Sequence, residues 1–244
     1  MNLFYKVHHK FESENVSSFR QLNAALINKL LSASGTELIS ETIMIKTEED
    51  YTNLDLPALN IKFSNKRGLR NPPAGWLPGE IGIWISNILA LKSFLQESSI
   101  DSDMCLLLES DVWLTPEDGA LNRCINDWVQ HLPKNWDFLN LYVAENWRYK
   151  FDSVIHEIGN EIICRNYAEI HFAAILWSKR GAGKLINVSE TEIHSPIDRQ
   201  VFEDSNFEGY AIKPDFHRNV SLWTAEALNN STIQDSPIRI RFSD

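Results

Sequence analysis

The sequence predicts an α/β protein with a mostly parallel central sheet and helices on both sides. The apolar run Leu106-Leu107-Leu108 ends abruptly at Glu109, which is typical of a strand buried on both faces, as in a parallel sheet. Along the chain, segments with strand-like patterns alternate with segments of helical periodicity, and the connections between them are short. Such alternation favours one sheet covered by helices on both faces.

In the first part of the chain, two strands and one helix are predicted. Residues 3–7 form the first strand, and residues 38–45, which are rich in Ile and Thr, form the second. Between the two strands, apolar residues at helical spacing predict a helix that ends just before Gly35: Phe19, Leu22, Leu26 and Leu30. Residues 48–75 are polar and rich in turn residues, which indicates mostly loop.

From Gly79 onward the alternation is regular. A helix over residues 79–95 is predicted from an apolar face made by five residues: Ile81, Trp84, Ile85, Ile88 and Leu95. The elements predicted after it are the strand into Glu109, a helix over 121–129, strands over 138–143 and 172–176, and a helix over 179–188. We therefore predict a single domain over residues 1–244.

Composition excludes several classes of protein. The chain has 244 residues, 43% of them hydrophobic, and a net charge of −10, which argues against a nucleic-acid binder. Cys105, Cys124 and Cys164 are odd in number and have neither a disulfide nor a zinc spacing. The first residues are too polar for a signal peptide, and no segment approaches the roughly 20 apolar residues of a membrane span. A cytoplasmic location is expected.

Two motif-like segments do not meet the requirements of the motifs they resemble. Gly181-Ala182-Gly183-Lys184 looks like the end of a phosphate-binding P-loop, but Ser178 and Leu185 stand where the motif needs Gly and Ser or Thr. His156-Glu157-Ile158-Gly159-Asn160 begins like a zinc-protease helix, but Asn160 replaces the second histidine. Both readings are rejected.

The acids that follow Leu108 suit a metal that carries a phosphorylated ligand. On a strand, Glu109 and Asp111 would share one face, because residues two apart point the same way. Ligands of open α/β sheets bind outside the carboxyl ends of the strands. Mg²⁺ and similar cations take one or two carboxylates from protein and complete their shell with water and phosphate.

The helix that begins near Gly79 is a second candidate. In Gly79-Glu80-Ile81-Gly82, two glycines would let a backbone and a ligand approach closely, and free amides at a helix start can meet an anion. Glu80 and Asn87 are seven apart and lie on the helical side opposite the apolar face. Alternatively, Glu80 only favours the helix dipole and Asn87 is a solvated surface residue.

These two segments together resemble glycosyltransferase family 25, which includes lipooligosaccharide and collagen galactosyltransferases. The family carries Gly-Glu-x-Gly-Cys-x-x-Ser-His and later Leu-Glu-Asp-Asp-Val, where this chain has the segments 79–87 and 108–112. Three further segments are similar to the family: 136–141, 173–182, and Ser195-Pro196-Ile197-Asp198 with its Pro-x-Asp. The resemblance covers roughly residues 76–217 and implies a GT-A-like, Rossmann-like fold.

The resemblance implies a metal-dependent inverting transferase. It would move a sugar, galactose-like, from a nucleotide-sugar donor such as a UDP-sugar to a hydroxyl of a glycan or glycolipid acceptor, as in lipopolysaccharide biosynthesis. Residues 1–115 would bind the donor and residues 116–244 the acceptor, with possible peripheral membrane contact.

The implied roles divide into base, metal ligands and donor contacts. Asp198 is the implied catalytic base, with a solvated turn aspartate as the alternative. Mn²⁺ or Mg²⁺ is the implied cofactor, and its ligands would be Asp111, Glu109 and His217. The implied donor-binding residues are Val7, His8, Glu80, Asn87, Glu109, Ser110 and Arg70, with Arg67 as an alternative source of phosphate-facing charge.

Departures from the family pattern leave alternatives open. Asn87 stands in place of the family's histidine, Ile83 in place of its cysteine and Ser110 in place of its first aspartate. An inactive relative that binds nucleotide or glycan without transfer is therefore the main alternative. A nucleotidyltransferase is a third reading, although residues 1–10 lack the glycine-rich, basic signature that it needs.

Overall fold

The fold is described from a computed structural model. It describes residues 1–8, 35–45, 47–64, 75–109, 112–114, 120–141, 154–158, 161–165, 172–204, 206–212 and 220–222. The strands in these ranges are β1 (Leu3–Val7), β2 (Gly35–Glu37), β3 (Met104–Leu108), β4 (Val112–Leu114), β5 (Phe138–Asn140), β6 (Val154–Ile158), β7 (Glu161–Arg165), β8 (Ala174–Ser178), β9 (Gly209–Ile212) and β10 (Val220–Leu222). The helices are α1 (Glu48–Thr52), α2 (Leu56–Leu59), α3 (Pro78–Glu97), α4 (Ala120–His131), α5 (Lys179–Thr191) and α6 (Ile197–Glu203).

Eight of these strands form one sheet in the order β2-β1-β3-β8-β5-β9-β7-β6. Strands β1, β2 and β3 are parallel, as are β5 and β9, whereas β8 is antiparallel to both of its neighbours and β7 to both of its own. Six strands therefore run one way and only β7 and β8 run against them, so the predicted α/β sheet is confirmed as a mixed one, with three parallel and four antiparallel strand pairs. Strands β4 and β10 pair in a separate antiparallel ribbon.

Apolar side chains cover both faces of the sheet. On one face, alternate residues of β1 and β3 such as Phe4, Cys105 and Leu107 pack with α3, α5 and α6. On the other face, Tyr5 and Leu106 pack with Ile125 and Trp128 of α4. Helices therefore lie on both sides, as predicted, and we call the first side the α3 face and the second the α4 face.

Helix α3 is the most deeply buried helix of the part that the structure describes. It begins at Pro78, a favourable first helical residue, and the Glu80 side chain accepts a hydrogen bond from the Leu77 amide at 2.9 Å. Its predicted apolar positions Ile81, Trp84, Ile85 and Ile88 are fully buried. Because six residues join the end of α3 to the start of β3, the helix runs back along the strand and its start lies at the carboxyl edge of β3.

The segment 38–45 is not the predicted strand. The second strand lies earlier, at Gly35–Glu37, and Gly35 is its first residue. After the Leu38 amide bonds to the Tyr5 carbonyl at 2.8 Å, the chain leaves the sheet and its backbone is held by side chains. Lys6 Nζ donates to the Ser40 carbonyl, and the Ile43 amide donates to Ser86 Oγ. Ile43 and Ile45 pack in the cluster that contains α3, whereas Ile39 is exposed.

Other predicted elements differ in their bounds. β8 begins two residues later than predicted, β5 ends at Asn140, and the predicted loop after residue 47 contains α1 and α2. Both short helices are started by side-chain caps, since Thr47 and Asp55 accept from backbone amides three residues on. The predicted helix of residues 19–30 lies outside the described residues.

Asp137 fastens the start of α5 to β5. Its carboxylate is completely buried and is paired with Arg180 Nε at 2.9 Å and Lys184 Nζ at 2.6 Å, while the Glu208 amide donates to it at 2.8 Å. The segment that resembles a P-loop is therefore a helix turn, capped by Ser178, in which the lysine has a carboxylate partner. The zinc-protease reading fails as well, because His156 and Glu157 lie in strand β6.

Candidate functional site

Residues that follow β1 and β3 meet at the carboxyl edge of the sheet. Val7 lies opposite Leu108, the His8 amide donates to the Leu108 carbonyl at 2.8 Å, and the Glu109 amide donates to the Ala173 carbonyl at 2.8 Å. The sheet hydrogen bonding thus continues one residue past each strand. Two predicted site residues, His8 and Glu109, are brought together here.

Strand alternation places His8 and Glu109 on the α3 face. Val7 and Leu108 belong to the cluster on the α4 face, and successive residues of a strand point to opposite sides. His8 is buried, whereas Glu109 is half-exposed. Val7 is also buried, but its side chain packs in the other cluster, so any contact of Val7 with a donor would have to come from its backbone.

Asn140 is a polar residue of this edge that the sequence interpretation did not single out. It ends β5, which runs in the same direction as β1 and β3, and it is completely buried. Alternation from Phe138, a member of the α3-face cluster, places it on the same face as Glu109. The signal was available, since Asn140 interrupts an apolar run as Glu109 does.

The residues of the segment 79–87 mostly bind their own chain. A Cβ atom on Gly82 would lie 2.7 Å from the Ile43 carbonyl oxygen, so this glycine admits the segment 38–45 and not a ligand. Ser86 Oγ accepts from the Ile43 amide at 2.8 Å and donates to the Gly82 carbonyl at 2.7 Å. Asn87 is buried and donates to the Ile83 carbonyl at 2.9 Å. The expectation of a solvated Asn87 opposite the apolar face is wrong, because α3 is covered on that side as well.

Asp198 lies in the first turn of α6 and faces Glu80 of α3. The pKa of Asp198 is raised from its ordinary 3.8 to about 6, chiefly by burial; the Arg199 backbone amide and charge oppose this rise, and the negative charge of Glu80 adds a smaller increase. The Arg199 amide donates to Asp198 Oδ1 at 2.8 Å. Two acids that are far apart in the sequence are therefore close in the fold, and Asp198 is half-buried, not a solvated turn residue.

The remaining predicted site residues lie outside the described part of the chain. These are Ser110, Asp111, Arg67, Arg70 and His217. The Val112 amide donates to the Glu109 carbonyl at 3.2 Å, and β3 and β4 belong to different sheets. Strand β3 therefore ends at Leu108, and the shared face predicted for Glu109 and Asp111 stays a prediction, because Asp111 lies outside the described residues.

The predicted metal site is only partly covered by described residues. Of its three ligands, Glu109 alone is described, and its half-exposed carboxylate is a suitable hard donor at the correct edge of the sheet. The described ranges contain no group of three His, Cys, Asp or Glu residues that could hold a metal. The set of Glu109, Asp111 and His217 stays a prediction.

A separate cleft of about 580 Å³ opens at the opposite edge of the sheet. Its lining includes Asp101, Met104, Lys134 and Lys179. Met104 is the first residue of β3, whereas Glu109 follows the last one, so this cleft lies away from the predicted site. Across the ranges that the structure describes, no helix has the length and apolarity that a bilayer span requires.

Among known proteins, this chain is similar to solved structures, whereas comparisons of its sequence with protein families and with curated proteins find no significant match. A glycosyltransferase involved in the glycosylation of the major capsid of PBCV-1 is similar, with 14% identity and a TM-score of 0.41 over 77% of this chain and 65% of that one. The galactosyltransferase LgtC in complex with donor and acceptor sugar analogues is similar over 78% of this chain and 65% of that one, with 15% identity and a TM-score of 0.32.

This chain thus spans just under two thirds of the length of each of these two structures. Identities of 14% and 15% with TM-scores below 0.5 leave the function to be inferred from the chain's own residues.

Proposed function

We propose that this chain is a glycosyltransferase that moves a sugar from a nucleotide-sugar donor to a hydroxyl of a glycan or glycolipid. The observation that carries the proposal is Asp198, a half-buried carboxylate with a pKa of about 6 that faces Glu80 at the start of α3. A carboxylate of raised pKa is a better proton acceptor than an ordinary aspartate and is still mostly ionised at neutral pH. The polar groups of His8, Glu109 and Asn140 follow strands at the edge where α/β sheets bind ligands.

In the proposed reaction, Asp198 accepts the proton of the acceptor hydroxyl as that oxygen attacks the anomeric carbon of the donor. The bond from this carbon to the phosphate oxygen breaks, the nucleoside diphosphate leaves, and the configuration at the carbon inverts. Glu109 is proposed to bind the donor. When bound, Mn²⁺ or Mg²⁺ held by Glu109, Asp111 and His217 would neutralise the charge of the leaving diphosphate.

The test is a panel of nucleotide sugars, each assayed with and without Mn²⁺. We expect transfer or donor hydrolysis with at least one UDP-sugar, and we expect Asp198→Asn to lower kcat about 10²–10⁴-fold with little change in donor affinity, because a general base contributes about that much. Asp127→Asn is the matched control, since Asp127 is exposed on α4 behind the sheet. Asp111→Ala should abolish the metal-dependent activity.

A protein that binds nucleotide sugar without transfer is the second candidate. The contacts of Asn87 favour this candidate, because Asn87 stands in the place of the family's histidine, is buried, and donates a hydrogen bond to its own helix. Calorimetric binding of a UDP-sugar with no turnover of any donor and acceptor would support this candidate and contradict transfer.

A further inference from the structure

The turn that precedes α6 is held by two backbone hydrogen bonds of Ile193, to residues 62 and 64, and by the side chains of Trp84 and Gln200. Residues 192–195 lead from α5 into α6, and Asp198 is the second residue of α6. The position of Asp198 depends on this turn, since α6 has only seven residues and no side-chain cap of its own.

Trp84 ties the turn to α3. Its indole Nε1 donates to the Ser195 carbonyl at 2.9 Å, and the ring is completely buried. Trp84 lies four residues after Glu80, so the two side chains share one side of α3. The indole therefore fixes the start of α6 to the side of α3 that carries Glu80.

Gln200 ties the same turn to α6 itself. Its Oε1 accepts from the amides of His194 and Ser195 at 2.9 and 3.1 Å, and its Nε2 donates to the Glu192 carbonyl at 3.0 Å. The side chain is buried. Three hydrogen bonds from one amide leave the turn little freedom relative to the first turn of α6, because buried backbone groups without partners are costly.

We propose that Trp84 and Gln200 are positioning residues that hold Asp198 against Glu80 and away from water. The proposal rests on the proposed function only where it concerns the role of Asp198 as base. Ile197 and Val201 keep α6 packed on the α3 face, but without the side chain of Trp84 or of Gln200 the first turn of α6 would shift, and Asp198 would move toward solvent and away from Glu80. The charged groups that face Asp198 are Glu80 on α3 and Arg199 on its own helix.

The test follows the titration of Asp198 in the full-length protein. For each background, the free energy of unfolding in urea is measured from pH 4 to pH 8 with and without Asp198→Asn, and the difference between the pair gives the midpoint of Asp198. We expect a midpoint of about 6 in the parent. In Trp84→Phe and in Gln200→Met, we expect it to fall by about one pH unit, because burial and the nearby acid both weaken.

Trp128→Phe is the matched control. Trp128 is buried as Trp84 is, but it packs on the α4 face, on the other side of the sheet from the turn. We expect it to lower stability without moving the midpoint. An unchanged midpoint in both Trp84→Phe and Gln200→Met, an equal shift in Trp128→Phe, or an ordinary midpoint in the parent would each overturn the proposal.

Failure of the proposed function has a different result. If the midpoint moves as expected but no donor is turned over, transfer is contradicted and the positioning of Asp198 stands. If Asp198→Asn abolishes transfer while Trp84→Phe and Gln200→Met leave the midpoint of Asp198 in place, only the positioning role is wrong.

Discussion

At Asp198, burial is the dominant effect on the pKa. The carboxylate loses water as α6 packs on α3, which favours its protonated form; the negative charge of Glu80 adds to this effect, whereas the charge and backbone amide of Arg199 oppose it. An ordinary surface aspartate stays ionised down to pH 4 and is a weak base. Burial of the ionised carboxylate lowers the stability of the fold, and it gives Asp198 a proton affinity that suits chemistry near neutral pH.

The raised pKa of Asp198 predicts a pH-dependent stability. In the unfolded chain the carboxyl ionises near 3.8, whereas in the folded protein it does so at about 6, so the folded state binds more protons between these values and stability falls as pH rises through this window. Asp198→Asn removes the charge. Compared with the parent, we expect it to be equally stable below pH 4 and more stable above pH 6, by on the order of 2 kcal/mol after allowance for partial exposure.

Urea unfolding at pH 4, 5, 6 and 7 measures this difference. Asp127→Asn, at an exposed position on α4, should change stability little at any of these pH values. A gain from Asp198→Asn that is the same at every pH would contradict the raised pKa.

One buried acid, Asp137, links β5 and the start of α5. Asp137 receives Arg180 and Lys184 from successive turns of α5, and Ser178 Oγ donates to the Trp136 carbonyl at 2.9 Å. The first turn of α5 approaches the Asp137 backbone so closely that only a glycine fits at position 181, where an added Cβ atom would overlap the Asp137 carbonyl.

Two glycines of α5 are therefore expected to respond oppositely to alanine. Gly181→Ala should lower the free energy of unfolding by about 2–4 kcal/mol, because the new methyl group meets backbone that cannot move aside. Gly183→Ala should raise it by up to about 1 kcal/mol, since nothing lies within 4 Å of the added Cβ atom and alanine is the better helix former. Thermal or urea unfolding measures both, and similar effects of the two substitutions would contradict the close packing of α5 on β5.

Elements whose apolar residues repeat with a helical or strand spacing were predictable from the sequence. The buried run of β3 and the apolar side of α3 are local patterns, and both were confirmed with bounds close to those predicted. The segment 38–45 has a strand-like composition as well, but its backbone partners are the side chains of Lys6 and Ser86. Partners from distant parts of the chain leave no local periodicity, so this error could not be avoided from the sequence.

The candidate site was predictable in part for the same reason. Glu109 follows an apolar strand, and its placement at the carboxyl edge needed only the local pattern and the rule for parallel sheets. That Glu80 and Asp198 face each other could not be read from the sequence, because the contact depends on how α6 packs on α3. Gly82 was expected to admit a ligand, yet it admits Ile43, and a glycine alone does not reveal what approaches it.

At the scale of the whole molecule, the sheet joins the two halves of the chain. Strand β8 from the second half lies between β3 of the first half and β5, and all five residues of β3 pair with it. The ribbon of β4 and β10 links the halves a second time. The proposed donor-binding and acceptor-binding halves, residues 1–115 and 116–244, therefore share one sheet and one core on each face.

This topology predicts that neither half folds alone. A fragment of residues 1–115 would expose β3, whose side chains are at most 2% exposed in the intact chain, as an unpaired apolar edge that favours aggregation. We expect each fragment to lack cooperative unfolding, and the mixture of both to regain it.

In the intact chain, tryptophan fluorescence and far-UV circular dichroism should report one coincident transition in urea, because Trp84 and Trp128 lie in clusters on opposite faces of the same sheet. Cooperative unfolding of the 1–115 fragment by itself, or two separate transitions of the intact chain, would show that the halves are independent units and that the shared sheet does not hold them together.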